Sequence, residues 1–113
     1  MKELIKKLRK FADDRDWEQF HSPKNLSMAL AAEAGEILEC FQWLTEEQSR
    51  SLDLETLKKV KGEIGDVQIY LARLADQLGF SPLEAAEEKL KQNQKKYPVE
   101  KAKGKANKYT ELD

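Results

Sequence analysis

The chain has 113 residues, 36% charged and 40% apolar, with 20 basic and 21 acidic side chains for a net charge of −1. That length makes one compact domain over residues 1–113, burying roughly 65% of its unfolded surface. The balanced charge excludes a global field for nucleic acid, and no apolar run approaches the ~18 residues needed to span a bilayer.

Residues 2–14 read as a helix whose apolar face is Leu4, Ile5, Leu8 and Phe11, with Lys6, Lys7, Arg9 and Lys10 outside. The start, Met1-Lys2-Glu3-Leu4, carries acid within that pattern and is not expected to be a signal peptide. The single thiol, Cys40, rules out an internal disulfide and fits a reducing compartment, so a cytoplasmic location is expected. Asp13-Asp14-Arg15-Asp16 ends the first periodicity, and Trp17 to His21 forms an aromatic connection. Trp17 and Phe20 either plug a helix entrance or also contact a ligand, as loop residues often do.

Ser22-Pro23 is an N-cap with proline at the first helical position, and a long helix runs from there to about Leu44. Leu26, Leu30, Ile37 and Phe41 form its stripe, with Cys40 nearby as a small core residue and Glu39 on the solvated side. Thr45-Glu46-Glu47-Gln48 is a capping-box pattern for a short helical turn. Asp53 then caps a helix that continues to Leu78 and stops at Gly79. Its stripe is Leu57, Val60, Ile64, Val67, Leu71, Leu74 and Leu78. Gly62 and Gly65 lie inside it at a cost on the order of 1 kcal/mol each, which close approach of a helix or a ligand would explain. Ser81-Pro82-Leu83-Glu84 starts a further helix, with Leu83, Ala86, Leu90 and Tyr97 inward and Pro98 as its stop. Residues 99–113 read as a lysine-rich, flexible tail. The expected fold is all-α, four main helices with short connections.

Glu33 falls in the middle of one apolar stripe and Glu36 at its edge, while Glu63 and Asp66 flank the other stripe. Residues three apart are neighbours on a helix, so these are two carboxylate clamps that could close on one divalent cation. Oxygen-only ligands select hard ions, Mg²⁺ or Mn²⁺. A di-iron bundle needs Glu-x-x-His pairs, and zinc needs His or Cys; the one histidine, His21, lies in no such motif and reads as a hydrogen-bonding loop residue. The competing explanation is a solvated charge band on two ordinary helices, and spacing alone does not choose between them.

Glu33-x-x-Glu36, 26 intervening residues, then Glu63-x-x-Asp66 resembles the signature of the all-α nucleoside triphosphate pyrophosphohydrolases of the MazG and dimeric dUTPase superfamily. Arg15-Asp16-Trp17-Glu18-Gln19-Phe20-His21, Phe41-Gln42-Trp43, Asn93-Gln94-Lys95-Lys96-Tyr97-Pro98-Val99 and the ending Lys108-Tyr109-Thr110-Glu111-Leu112 are similar to its MazG-like, dCTP pyrophosphatase branch. The resemblance implies Mg²⁺-dependent hydrolysis of a (d)NTP, dCTP or a modified dCTP, to the monophosphate and pyrophosphate. It implies Glu33, Glu36, Glu63 and Asp66 as metal ligands. Trp17, Trp43, Tyr70 and Asn93 would line the nucleotide pocket, with Lys89, Lys95 and Tyr97 as further substrate contacts. The catalytic proton acceptor would be Glu33 or Glu36. The bundle would be completed by oligomerisation, as a homodimer or a homotetramer made of two dimers. One departure leaves base specificity open: the animal branch has a histidine near the base where this chain has Leu8. The alternative to an enzyme is a non-catalytic nucleotide-binding or helical oligomerisation module, which would not need the acids.

Overall fold

A computed structural model describes residues 1–104, and every regular element among them is helical. The elements are α1 (Lys2–Asp14), a 3₁₀ turn (Glu18–Phe20), α2 (Pro23–Phe41), α3 (Glu46–Ser49), α4 (Leu54–Gln77), α5 (Pro82–Lys96) and α6 (Val99–Ala102). The all-α expectation holds, and the four main helices are α1, α2, α4 and α5. Two local readings change. The α2 helix ends at Phe41, so Trp43 sits in the turn beyond it. Pro98, read as a stop, also starts the short α6, because its φ of −60° and ψ of 146° suit a position just ahead of a helix. Lys108 to Leu112 lie outside the described residues.

Two compact units divide the chain, one spanning Met1–Ser81 and the other from Pro82 on. In the first, α4 is the spine: α2 packs along it, and α1 packs against it over a shorter contact. The helix ends follow local chemistry. The Ser22 hydroxyl accepts from the Asn25 N–H at 3.1 Å, and the Asn25 amide donates to the Phe20 carbonyl at 3.1 Å, tying the 3₁₀ turn onto α2. Thr45 and Gln48 form a reciprocal capping box. The Asp53 carboxylate accepts from the Thr56 N–H at 2.7 Å, which holds its pKa below the usual range. After α4, Gly79 adopts φ +91°; its N–H reaches the Asp76 carbonyl and the Phe80 N–H reaches the Ala75 carbonyl, the two bonds of a Schellman stop.

Between α1 and α2 the chain reverses at Asp16, whose φ of +55° is left-handed. Aspartate tolerates that region better than most side chains. The reversal lets the Trp17 N–H bond the Ala12 carbonyl at 2.9 Å and sets the Trp17 ring edge-on to Phe11, centroids 5.6 Å apart. Two polar links then fasten this region to α4. Arg9 Nε donates to Asp76 at 2.8 Å, and Glu18 is held by Arg73 at 2.8 Å and by Gln77 at 3.2 Å.

Among the described residues the buried apolar set is small: Ala12, Leu26, Val60, Ala72 and Ala75. On α4, Val67 and Leu74 are half-buried, but Leu54, Leu57, Ile64 and Leu78 are each more than half exposed. The α4 stripe is therefore apolar as expected and only partly covered. Gly62 and Gly65 give no close approach either, since a Cβ at each would meet nothing within 4 Å. The expected packing of another helix onto these glycines is not made among the described residues. In the second unit, α5 carries Lys95 and Lys96 in its last turn, where cations complement the helix dipole.

Candidate functional site

Packing of α2 on α4 brings the two carboxylate clamps face to face. Glu33 and Glu36 come from α2, Glu63 and Asp66 from α4, and one ligand oxygen from each lies within 4.8 Å of all the others. Glu33 and Glu63 are half-buried; Glu36 and Asp66 are exposed. Glu33 Oε2 and Glu63 Oε2 are shut off from solvent and, among the described residues, have no hydrogen-bond partner. Buried acceptors normally find a donor, and two orphans in one acidic cluster fit a divalent cation as their partner.

The electrostatics agree. Lost hydration first, then hydrogen bonding with Glu36 and the negative charges of Glu36 and Asp66, raise the Glu33 pKa. Glu63 is pushed up to about 7, first by hydrogen bonding with Glu36, then by lost hydration and the charges of Glu36, Glu33 and Asp66. Glu33 and Glu63 therefore hold their protons more readily than free carboxyls, and a divalent cation would replace those protons. The donor set is oxygen alone, which fits a hard divalent ion. Cys40 stays out of it: its S–H faces the Glu36 backbone carbonyl at 3.5 Å.

Beside the cluster lies a cleft of about 150 Å³, walled by Leu8, Phe11, Ala12, Trp17, His21, Ile69, Tyr70 and Arg73. Asp66 lines it as well, so the acid cluster and the cleft are continuous. The His21 ring stands 6.1 Å from Trp17 at 61°. Lost hydration, followed by the nearby Arg73 charge, lowers the His21 pKa, which favours the neutral ring. Arg73 Nη2 faces His21 Nδ1 at 3.4 Å. A guanidinium only donates, so Nδ1 accepts and the ring proton is assigned to Nε2.

Trp17 and Tyr70, named from sequence, stand in this cleft. Trp43, also named, does not line it and is 87% exposed. Lys89, Asn93 and Lys95 lie on α5 and Tyr97 just beyond it, all in the second unit. Sequence reasoning missed Arg73 altogether and gave Phe11 only a core role. The signal was available: Asp66, Tyr70 and Arg73 are spaced i, i+4, i+7 and share one face of α4.

Residues 28–112 match the model of the MazG-like family. The chain is 41% identical over 104 residues to dCTP pyrophosphatase 1 of Mus musculus and 39% identical to that of Homo sapiens, in each case over 90% of this chain. It spans 61% of the length of these curated relatives. A solved structure of a pyrophosphatase from Archaeoglobus fulgidus is also similar, with 40% identity and a TM-score of 0.76 over 87% of this chain and 92% of that one.

Proposed function

The chain belongs to the MazG-like family, and on that premise we propose that it is a Mg²⁺-dependent nucleoside triphosphate pyrophosphohydrolase, converting dCTP or a modified dCTP to the monophosphate and pyrophosphate. The observation that carries this reading is the pair of orphaned, buried oxygens of Glu33 and Glu63 within one four-carboxylate cluster. The names of the relatives, dCTP pyrophosphatase 1 and pyrophosphatase, support it.

Glu33, Glu36, Glu63 and Asp66 would hold the cation. When bound, it would offset triphosphate charge and acidify a water. Trp17 and Tyr70 give the cleft ring surfaces on which a base stacks, each such contact worth roughly 1–3 kcal/mol. The proton lost by the attacking water goes to Glu33 or Glu36. The bond between the α-phosphorus and its bridging oxygen breaks, and pyrophosphate leaves. The resemblance extends nucleotide contact to Trp43, Lys89, Asn93, Lys95 and Tyr97. The biological use is removal of surplus or damaged nucleotides from the pool.

The working form is a homodimer or a dimer of dimers. Support comes from exposed apolar side chains on two helices, Leu38 at 63% and Leu54 at 69%, in a unit with few buried ones. No helix among the described residues is long and apolar enough to cross a membrane.

The test is incubation with dCTP and Mg²⁺ followed by product separation. Formation of dCMP and pyrophosphate supports the reading. Formation of dCDP and orthophosphate, or no turnover across a panel of (d)NTPs, ends it; nucleotide binding that ignores Mg²⁺ would instead favour a non-catalytic module.

A further inference from the structure

We propose that Arg73 is a specificity-determining residue, donating a hydrogen bond to a keto oxygen on the edge of a single-ring base in the aromatic cleft; this rests on the nucleotide reading above. Arg73, with His21, is a polar side chain of the cleft wall that neither the cation cluster nor base stacking uses. Its side chain is 4% exposed. One end of the guanidinium is committed: Nη2 donates to Glu18 at 2.8 Å, and Nη1 lies 3.9 Å from Asp76. The Nε–H is buried and, among the described residues, has no hydrogen-bond partner. A buried donor left idle is costly. Arg73 lines two pockets, the polar one it shares with Arg9, Glu18, Asp76 and Gln77 and the aromatic cleft that also holds Trp17 and Tyr70.

Stacking on ring faces tolerates every base, because every base has a π-face. Discrimination requires a polar group that is paired by one base and left unpaired by another. Two wall groups can do this. Arg73 offers donors alone. His21, whose Nδ1 faces the guanidinium, keeps its proton on Nε2 and presents a second donor. A donor-lined edge accepts a keto oxygen and opposes an amino group. The cleft holds about 150 Å³, below the roughly 300–1,000 Å³ of a site for a whole drug-sized ligand, so it takes one ring and leaves the rest of the nucleotide outside. Glu18 holds the guanidinium in place, and Gln77 holds Glu18. Both contacts fix the orientation that selection needs.

The experiment measures kcat/KM for dCTP, dUTP and dATP in the wild type, Arg73→Gln and Arg73→Lys. It also measures calorimetric binding of deoxycytidine and deoxyadenosine to the wild type without metal. Loss of a charged hydrogen bond should lower kcat/KM for the keto pyrimidines roughly 10- to 100-fold, while dATP changes by less than about threefold. Lysine keeps the buried charge but lacks the Nε donor, so Arg73→Lys should flatten the preference even if Arg73→Gln fails to fold. An equal loss for all three bases, or an unchanged preference in a folded variant, overturns the assignment in favour of a purely structural Arg73. Equal binding of the two nucleosides by the wild type overturns it whatever the variants do. Failure of the wild type to hydrolyse any nucleotide overturns the proposed function instead, and nucleoside binding still decides the role of Arg73.

Discussion

Glu33 on α2 and Glu63 on α4 belong to the same acidic cluster, and each keeps one buried carboxylate oxygen, Oε2, with no hydrogen-bond partner among the described residues. Two like-charged groups on packed helices oppose the packing that joins them. A cation reverses that sign, so the interface between α2 and α4 should depend on divalent metal.

That dependence is measurable without substrate. Mg²⁺ should raise the melting temperature of the wild type, by the equivalent of about 2.7 kcal/mol at 100 times its dissociation constant. Glu63→Gln should keep its helical circular dichroism and lose most of the metal-induced rise. Its kcat/KM should fall by more than about 100-fold, since even groups that only orient a metal ligand are worth 10- to 100-fold. Full activity in this variant would remove the basis of the proposed function.

Acid should loosen the attachment of α1 to α4. Bonding to Arg9 first, and the charges of Arg9 and Arg73 after it, hold the Asp76 pKa below its ordinary value. A carboxyl with a depressed folded pKa contributes stability above its unfolded pKa, about 3.9. That contribution is lost as pH falls through the folded value. His21 acts in the same direction at higher pH: its folded pKa lies below its ordinary 6.5, so protonation favours the unfolded chain as pH falls below that value. Glu33 and Glu63, whose pKa values are raised, gain stability as pH falls. Urea melts from pH 7 to 2 should therefore show each loss as a difference from the matching variant, His21→Asn or Asp76→Asn. Asp76→Asn should lack the lower one, and an unchanged profile in that variant would contradict the role given to the Arg9–Asp76 pair.

The places where sequence reading succeeded and failed have physical causes. Ser22-Pro23, Asp53 and Gly79 were legible because each ends a helix through its own side chain or φ. The acid pairs stood out because they sit in or beside apolar stripes, where carboxylates are costly without a purpose, but spacing left a solvated charge band equally open and the family resemblance made the choice. The spacing of Arg73 from Asp66 and Tyr70 was legible but its burial was not, because an arginine among leucines on a helix ordinarily reaches past them to water. Its actual partner, Glu18, is 55 positions away. The stripe on α4 reported which face is apolar, but periodicity carries no information about what covers that face.

The helix glycines separate the chain alone from the chain in use. A Cβ at Gly65 would meet nothing within 4 Å, so Gly65→Ala should stabilise the isolated chain by up to about 1 kcal/mol through helix propensity. If a ligand or a second copy comes close to this backbone, the same substitution should weaken turnover or assembly while thermal stability rises. Chemical denaturation and kcat/KM on one preparation distinguish the two outcomes.

The exposed α4 stripe makes the last prediction. Leu54 and Leu57 stand 69% and 51% exposed on the helix that forms the spine of the first unit. Burying a leucine contributes roughly 1.5–3 kcal/mol, so leaving both in water forgoes stability that a small domain needs. A second copy of the chain would recover it by an isologous contact. Sedimentation equilibrium should therefore find the wild type as a dimer or tetramer. Leu54→Glu together with Leu57→Glu should shift it toward monomer and lower its melting temperature, because each introduced carboxylate would have to be desolvated at the contact. A wild type that sediments as a monomer at micromolar concentration would refute assembly through this face, and the partly covered stripe would then have to be stable by itself.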